Sequence, residues 1–330
     1  MNRYVSTFTT GFGSVVKKLL MRDLAGVKII KIQDGFIQYS FNGNYQQIKK
    51  LIYLNNTFSV LTEFKGNNLS FGAMVKQTAR TKHRLRIQKG TCRVRFSREN
   101  QFQKVPDTVR QLAEKQIKEY PGMQIDRIHP DTEIWYIIRS EGIGFCGQLL
   151  TRRAATEKNL HKGELRPEFA YLMCSGITIR KGSTVCDPFC GYGAIPRQLL
   201  HFPAKKIIAS DIDEEKIRLL RKTAWAGQKR ISLRTADAAS LRYLADHSVD
   251  TVITDPPWGC YDNISDIREF YGIMLKEILR IIKKDGAIVV LSARKEEFTD
   301  ACGAYPVKII NQIHTLVNGK KAALYILRPL

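Results

Sequence analysis

Three acids in the second half of the chain each close an apolar, strand-like run. Asp187, Asp211 and Asp237 follow Thr184–Cys186, Lys206–Ser210 and Ser232–Ala236. Asp187 opens Asp187-Pro188-Phe189-Cys190-Gly191-Tyr192-Gly193, in which two glycines two apart let the backbone turn tightly and approach a ligand closely. The pattern stops short of a dinucleotide fingerprint, because Pro196 fills the last glycine position. A diphosphate there would meet the Asp187 carboxylate, whereas a cationic or amine-bearing ligand suits it. An acid after the second strand is placed to accept from ribose hydroxyls. Asp237, after the third, is placed to meet an adenine amino group. Asp213 reads as a helix cap. Together the three strand-end acids describe a nucleoside carrying an amino-acid-like appendage.

A fourth run, Asp250–Thr254, ends in Asp255-Pro256-Pro257-Trp258-Gly259. Two prolines stiffen this loop and remove two backbone donors, so its carbonyls are free to accept. An acid beside a freed carbonyl can hold both hydrogens of an exocyclic amine, and Trp258 offers a face for stacking a base.

The elements that must position these groups are legible around them. After the fourth strand comes Ala287–Leu291, and helix-like segments at Ala194–His201, Glu214–Ala226 and Asp266–Lys283 alternate with the strands. Lys283-Lys284-Asp285-Gly286 predicts the end of the last helix. Such alternation implies a parallel sheet covered on both faces. Val307–Ile313 and Ala322–Leu327 around Asn318-Gly319 predict a closing antiparallel hairpin.

Upstream, Val27–Ile32 and Phe36–Phe41 flank the turn pair Asp34-Gly35, Val105–Tyr120 is helical, and Ile134–Ile138 and Gly144–Leu150 are strands. The net charge of +22 is concentrated here: residues 1–160 carry 27 basic and 12 acidic groups. No acid separates Glu63 from Glu99, a stretch containing Lys76, Arg80, Lys82, Arg84, Arg86, Lys89, Arg93 and Arg95. Alternation in Arg84-Leu85-Arg86 and Arg93-Val94-Arg95 predicts strands with arginines stacked on one side, which repel unless an anion sits on them. These eight residues are therefore expected to bind a polyanion, most simply nucleic acid.

No run is apolar for long enough to span a membrane, and the start lacks the apolar stretch of a signal peptide. The seven cysteines (92, 146, 174, 186, 190, 260 and 302) are odd in number and form no C-x-x-C pair. Reduced thiols, a cytoplasmic location and no metal site are expected, with Cys186 and Cys190 as small buried residues.

The motifs Leu165–Met173 (LRPEFAYLM), 187–196 (DPFCGYGAIP), 210–213 (SDID) and 255–259 (DPPWG) resemble those of class I S-adenosylmethionine-dependent methyltransferases that methylate amines. More narrowly, with 130–135 (PDTEIW), they resemble the THUMP-domain tRNA guanine-N2 methyltransferases. The resemblance implies an α/β fold: a Rossmann-like class I methyltransferase domain at 165–330, preceded by α+β ferredoxin-like (1–60) and THUMP RNA-binding (61–150) domains and a linker at 151–164. It implies S-adenosyl-L-methionine as cofactor. Asp187, Phe189, Cys190, Gly191 and Gly193 would lie by its methionine part, Asp211 and Ile212 by the ribose, and Asp237 and Ala238 by the adenine. Leu165, Arg166, Pro167 and Glu168 would form a pocket wall, with Asp255 at the transferring methyl. Asp255, Pro256, Pro257 and Trp258 would be catalytic, on a flipped-out guanosine of tRNA, at position 6 in preference to 10. The expected protein is a monomer needing no metal. An adenine-N6 methyltransferase and a non-catalytic RNA-binding or assembly protein with the same fold are the alternatives, while the incomplete glycine pattern disfavours a nicotinamide dehydrogenase.

Overall fold

The structure, a computed structural model, describes residues 2–66, 68–80, 83, 85–140, 142–152, 160–259 and 264–330. The chain divides into two compact units, Met1–Phe8 with Leu19–Arg153 and Thr9–Lys18 with Ala154–Leu330.

The first unit is built from β1 (Arg3–Thr7), α1 (Gly13–Asp23, which begins in the second unit's share of the chain), β2 (Lys28–Gln33), β3 (Phe36–Ser40), α2 (Gln46–Lys49), β4 (Thr57–Lys65), α3 (Phe71–Ala79), β5 (Gly90–Arg98), β6 (Gln101–Phe102), α4 (Asp107–Lys118), β7 (Met123–Ile125), β8 (Thr132–Ile138) and β9 (Ile143–Thr151). One nine-stranded sheet runs β2-β3-β1-β4-β9-β8-β5-β6, with β7 beside β5. The position between residues 60 and 61 falls inside β4, which joins β1 to β9. Alternation separates the faces. Val94, Phe96, Ile134, Tyr136 and Cys146 share a core with Met74 and Val75 of α3 and Ala113 and Ile117 of α4. The opposite face carries Val5, Phe36, Phe58, Phe145 and Leu149, with Trp135 and Ile137.

The second unit contains α5 (Pro167–Ser175), β10 (Thr184–Asp187), α6 (Ala194–Leu199), β11 (Lys206–Asp211), α7 (Glu214–Arg221), β12 (Ile231–Thr235), β13 (Val249–Thr254), α8 (Ile267–Ile281), β14 (Ile282–Ser292), α9 (Lys295–Gly303), β15 (Val307–Val317) and β16 (Lys320–Pro329). Its sheet runs β12-β11-β10-β13-β14-β16-β15, parallel except for the last two pairings. The expected parallel sheet with a closing hairpin is what forms, and Asn318 and Gly319 both take positive φ at its turn. The direction of strand progression reverses between β10 and β13, which is where an open α/β sheet leaves a crevice. The core packs α8 and α9 on β13, β14 and β16 through Tyr271, Leu275, Ile278, Phe298, Val290 and Tyr325.

Three expectations need correction. α8 stops at Ile281 and Lys283–Gly286 lies within β14, because His247 and Ser248 donate to the carbonyls of Arg280 and Ile281 while Ile282 pairs with Val249. α7 ends at Arg221 rather than 226: Thr223 Oγ1 donates to the Leu220 carbonyl, and Trp225 turns to pack beside Gly193. Leu85 and Arg86 are not in a strand. Among the described residues no helix is long and apolar enough to cross a membrane.

Candidate active site at the strand ends

Parallel pairing of β10 with β11 and β13 brings the carboxyl ends of these strands side by side. Asp187 is 1% exposed, and its Oδ1 accepts from Thr254 Oγ1 (2.7 Å) and from the Phe189 N–H (3.2 Å). Burial, reinforced by the nearby Asp211 charge, pushes its carboxyl up to about 7 despite those bonds. Asp255, one residue beyond β13, is driven well above the carboxylate range by burial first and by Asp187 second. Its Oδ1 is sealed from solvent and has no hydrogen-bond partner among the described residues. A buried acceptor without a donor, beside a second buried acid, is a place built for a cation or an N–H ligand.

The glycine loop crosses above β10. Gly191 takes φ +50° and donates its N–H to Asp211 Oδ2 (2.8 Å), and nothing lies within 4 Å of where its Cβ would be. Gly193 also has positive φ, but a Cβ there would sit 2.7 Å from Trp225. The first glycine thus leaves open space for a ligand, while the second is required by packing. Asp211 also accepts from the Asp213 N–H (3.0 Å), with Lys216 Nζ at 3.9 Å. Asp213 caps α7, as expected.

The remaining predicted positions divide by what they expose. Asp237 is exposed and accepts from Ala239 N–H, with Ala238 buried beside it. Ile212 is 70% exposed. The Phe189 ring packs on Phe270 at 5.8 Å, and Cys190 packs with Ala209, Ile217 and Leu220, so each presents backbone to the loop. Leu165 and Glu168 are buried at the start of α5, for which Arg166 is the N-cap position and Pro167 the first residue. The six described cysteines are buried free thiols raised by desolvation, and no group of metal-ligating side chains occurs among the described residues. Cys260 lies outside the described residues.

Pro256 is buried, and Trp258 is half-buried with its indole N–H donated to the Leu291 carbonyl (3.3 Å). Tyr271 OH donates to the Pro257 carbonyl (3.3 Å) and lies 2.9 Å from Ser292 Oγ. Tyr271, Ser292 and Thr254 thus set this loop and Asp187, and sequence spacing signalled none of them. Tyr192 was missed too: the His161 ring stacks on it at 4.0 Å and 10°.

In the first unit the basic residues do not form one stripe. Lys76 lies on α3 and Arg80 caps it, on the side where Val94 and Phe96 are buried. Arg93 and Arg95 project from the opposite face, where the register sets them against Glu133 and Trp135. The anion between them is internal. Glu133, 4% exposed, accepts from Arg93, Arg95, Arg152 and Trp135 Nε1. Burial opposes its charge, but these donors hold it down at about 2. Arg86 and Lys89 lie between α3 and β5, while Lys82 and Arg84 lie outside the described residues.

Residues 198–320 match the family model described as RMKL-like, methyltransferase domain. The chain is 28% identical over 214 residues to the tRNA (guanine(6)-N2)-methyltransferase of Thermus thermophilus, covering 62% of this chain and 63% of that relative. It is 32% identical over 127 residues, 36% of this chain, to a Methanothermococcus thermolithotrophicus protein named "Probable tRNA (guanine(10)-N2)-dimethyltransferase", 74% of which is covered. The chain therefore spans less than two thirds of the Thermus relative's length. The crystal structure of TrmN from Thermus thermophilus shares the fold over all of both chains, with a TM-score of 0.82 at 19% identity.

Proposed function

The chain belongs to the tRNA guanine-N2 methyltransferase family, and from that premise we propose that it transfers a methyl group from S-adenosyl-L-methionine to N2 of a guanosine in tRNA. The observation that carries the reading is the pair of acids at adjacent strand ends, buried Asp187 and half-buried Asp255, the latter with a solvent-sealed oxygen awaiting a donor. Position 6 is favoured over 10 because the Thermus relative bears that name. We further propose a ferredoxin-like segment (1–60) and a THUMP segment (61–150), a cytoplasmic monomer, and RNA contact through basic residues of the first unit.

The residues present fit the cofactor. Open space over Gly191 admits its methionine part, Asp187 meets the amino-acid cation, and Asp211, with Ile212 beside it, serves the ribose. Asp237 and Ala238 form the adenine rim, and the Leu165–Glu168 segment forms a wall. When bound, the cofactor supplies an electrophilic methyl on a sulfonium. Asp187 and Asp255 ionise more readily beside that positive charge. Ionised Asp255 and the Pro256 carbonyl then accept both hydrogens of the guanine amine, localise its lone pair, and orient it for in-line attack. Because the amine becomes cationic during transfer, Asp255 binds it more tightly in the transition state than before. Trp258, fixed by its bond to Leu291, gives the flipped base a ring to rest on.

Incubation with unmodified tRNA transcripts and the cofactor, followed by mass spectrometry of digested nucleosides, tests the reading. N2-methylguanosine is expected at one mapped position. Methyl on adenine N6, on a ring carbon or on a ribose oxygen would refute it.

A further inference from the structure

Behind the Asp255–Gly259 loop, hydrogen bonds join α8, the end of β14 and the start of α9 to the loop, and they can run in one direction only. The Pro257 carbonyl can only accept, so the single O–H of Tyr271 points at it (3.3 Å). Ser292 therefore donates to Tyr271 (2.9 Å), and its Oγ receives the Arg294 N–H (3.0 Å). Reversing the middle bond would strand the Pro257 carbonyl, and neither Tyr271 nor Ser292 is open to water. Burial, opposed by the Ser292 bond and reinforced by the Asp255 charge, raises the Tyr271 hydroxyl, so it stays a neutral donor. Phe298 of α9 meets the Tyr271 ring edge-on at 5.3 Å and 85°, which holds the hydroxyl in place. The next residue of the loop, Trp258, is tied to the Leu291 carbonyl. The loop is thus pinned at Pro257 and Trp258, while Asp255 Oδ1 has no hydrogen-bond partner among the described residues.

We propose that Tyr271, aimed by Ser292, is a positioning residue for methyl transfer: by occupying the Pro257 carbonyl it fixes the turn that presents Asp255 and the Pro256 carbonyl to the amine. The inference rests on amine methylation being the reaction. An amine has two hydrogens, whereas this loop holds three acceptors in a row, the Asp255 carboxylate and the carbonyls of Pro256 and Pro257. Three acceptors allow more than one pose, and only one of them aims the lone pair along the line of attack. Tying up Pro257 removes the competing pose and keeps the other two acceptors at a fixed spacing. Tyr271 acts through the loop rather than on the amine, so its loss should appear in turnover and not in the binding of either substrate.

The test uses the full chain as Tyr271→Phe, Ser292→Ala and the two combined. Tyr271→Phe should lower kcat on tRNA about tenfold, the equivalent of one hydrogen bond, with KM for tRNA and calorimetric affinity for S-adenosyl-L-methionine unchanged. Ser292→Ala should lose less, because Tyr271 can still reach Pro257, and the double variant should match Tyr271→Phe alone. A second readout needs neither cofactor nor RNA. In protein carrying isotope-labelled tryptophan, the Trp258 indole N–H, identified by its absence in Trp258→Phe, should exchange with deuterium about tenfold faster in Tyr271→Phe. Backbone exchange in β13 should stay as in the wild type. Unchanged kcat, a loss that falls on KM or cofactor affinity, multiplied losses in the double variant, or equally quickened exchange in β13 would overturn the proposal. Selectively faster Trp258 exchange in a chain that makes no N2-methylguanosine supports the positioning role and refutes the proposed function. N2-methylguanosine formed at an unchanged rate by Tyr271→Phe refutes the positioning role alone.

Discussion

Asp187→Asn should make the ligand-free protein more stable at pH 8 and leave it almost unchanged at pH 4. In the folded state Asp187 faces the Asp211 and Asp255 carboxylates and is walled from water, which lifts its carboxyl from 3.8 to about 7. A raised carboxyl means the folded protein holds a proton that the unfolded chain has released. Below about pH 4 both states are protonated and the group contributes nothing. As pH rises from 4 to 7 the folded state loses about 1.4 kcal/mol per pH unit, and above 7 the loss levels near 4 kcal/mol. An asparagine imitates the protonated acid: its Oδ1 keeps the bonds from Thr254 and Phe189, and its amide occupies the place of the acidic hydroxyl. The variant therefore escapes a penalty of about 4 kcal/mol, worth roughly 8–16 °C in melting temperature for a unit of this size. Differential scanning fluorimetry at pH 4 and pH 8 without cofactor measures it. The same substitution should remove most affinity for S-adenosyl-L-methionine, since the stored repulsion is what a cation relieves. A variant less stable than wild type at pH 8, or a gap equal at both pH values, would refute the reasoning.

Asp255→Ala should lower single-turnover methyl transfer about a hundredfold to a thousandfold while calorimetry finds cofactor affinity close to wild type. Near-normal transfer would remove Asp255 from the reaction. Glu133→Gln should destabilise the protein by about 3 kcal/mol at pH 7, because three arginines lose their shared anion. Glu133's carboxyl is depressed from 4.5 to about 2, so its contribution is full above 4.5 and is lost as pH falls towards 2. Melting curves at pH 7 and pH 3 should show the gap shrinking on acidification. Gly193→Ala should be severely destabilising, whereas Gly191→Ala should cost only about 1–2 kcal/mol for its left-handed backbone and yet impair cofactor binding. Similar melting temperatures for the two variants would contradict the packing described for Trp225.

What sequence alone determined is chiefly local. Period-two and longer apolar runs, the Asn318-Gly319 turn and an acid after each strand follow from neighbours within a few residues, and they place Asp187, Asp211 and Asp255 at the edge of a parallel sheet before any coordinates are known. Runs of arginine were legible too, but not their partners: Glu133 lies 40 positions from Arg93, and only β5–β8 pairing makes that carboxylate the anion they require. The same limit applies at α8, whose end is decided by donors from His247 and Ser248 rather than by its own lysines and glycine. Thr254, Tyr271 and Ser292 carry no signal because ordinary core residues become anchors only when distant strands converge. The raised carboxyls of Asp187 and Asp255 belong wholly to tertiary structure. Desolvation depends on every group that surrounds a charge, and a linear chain surrounds nothing.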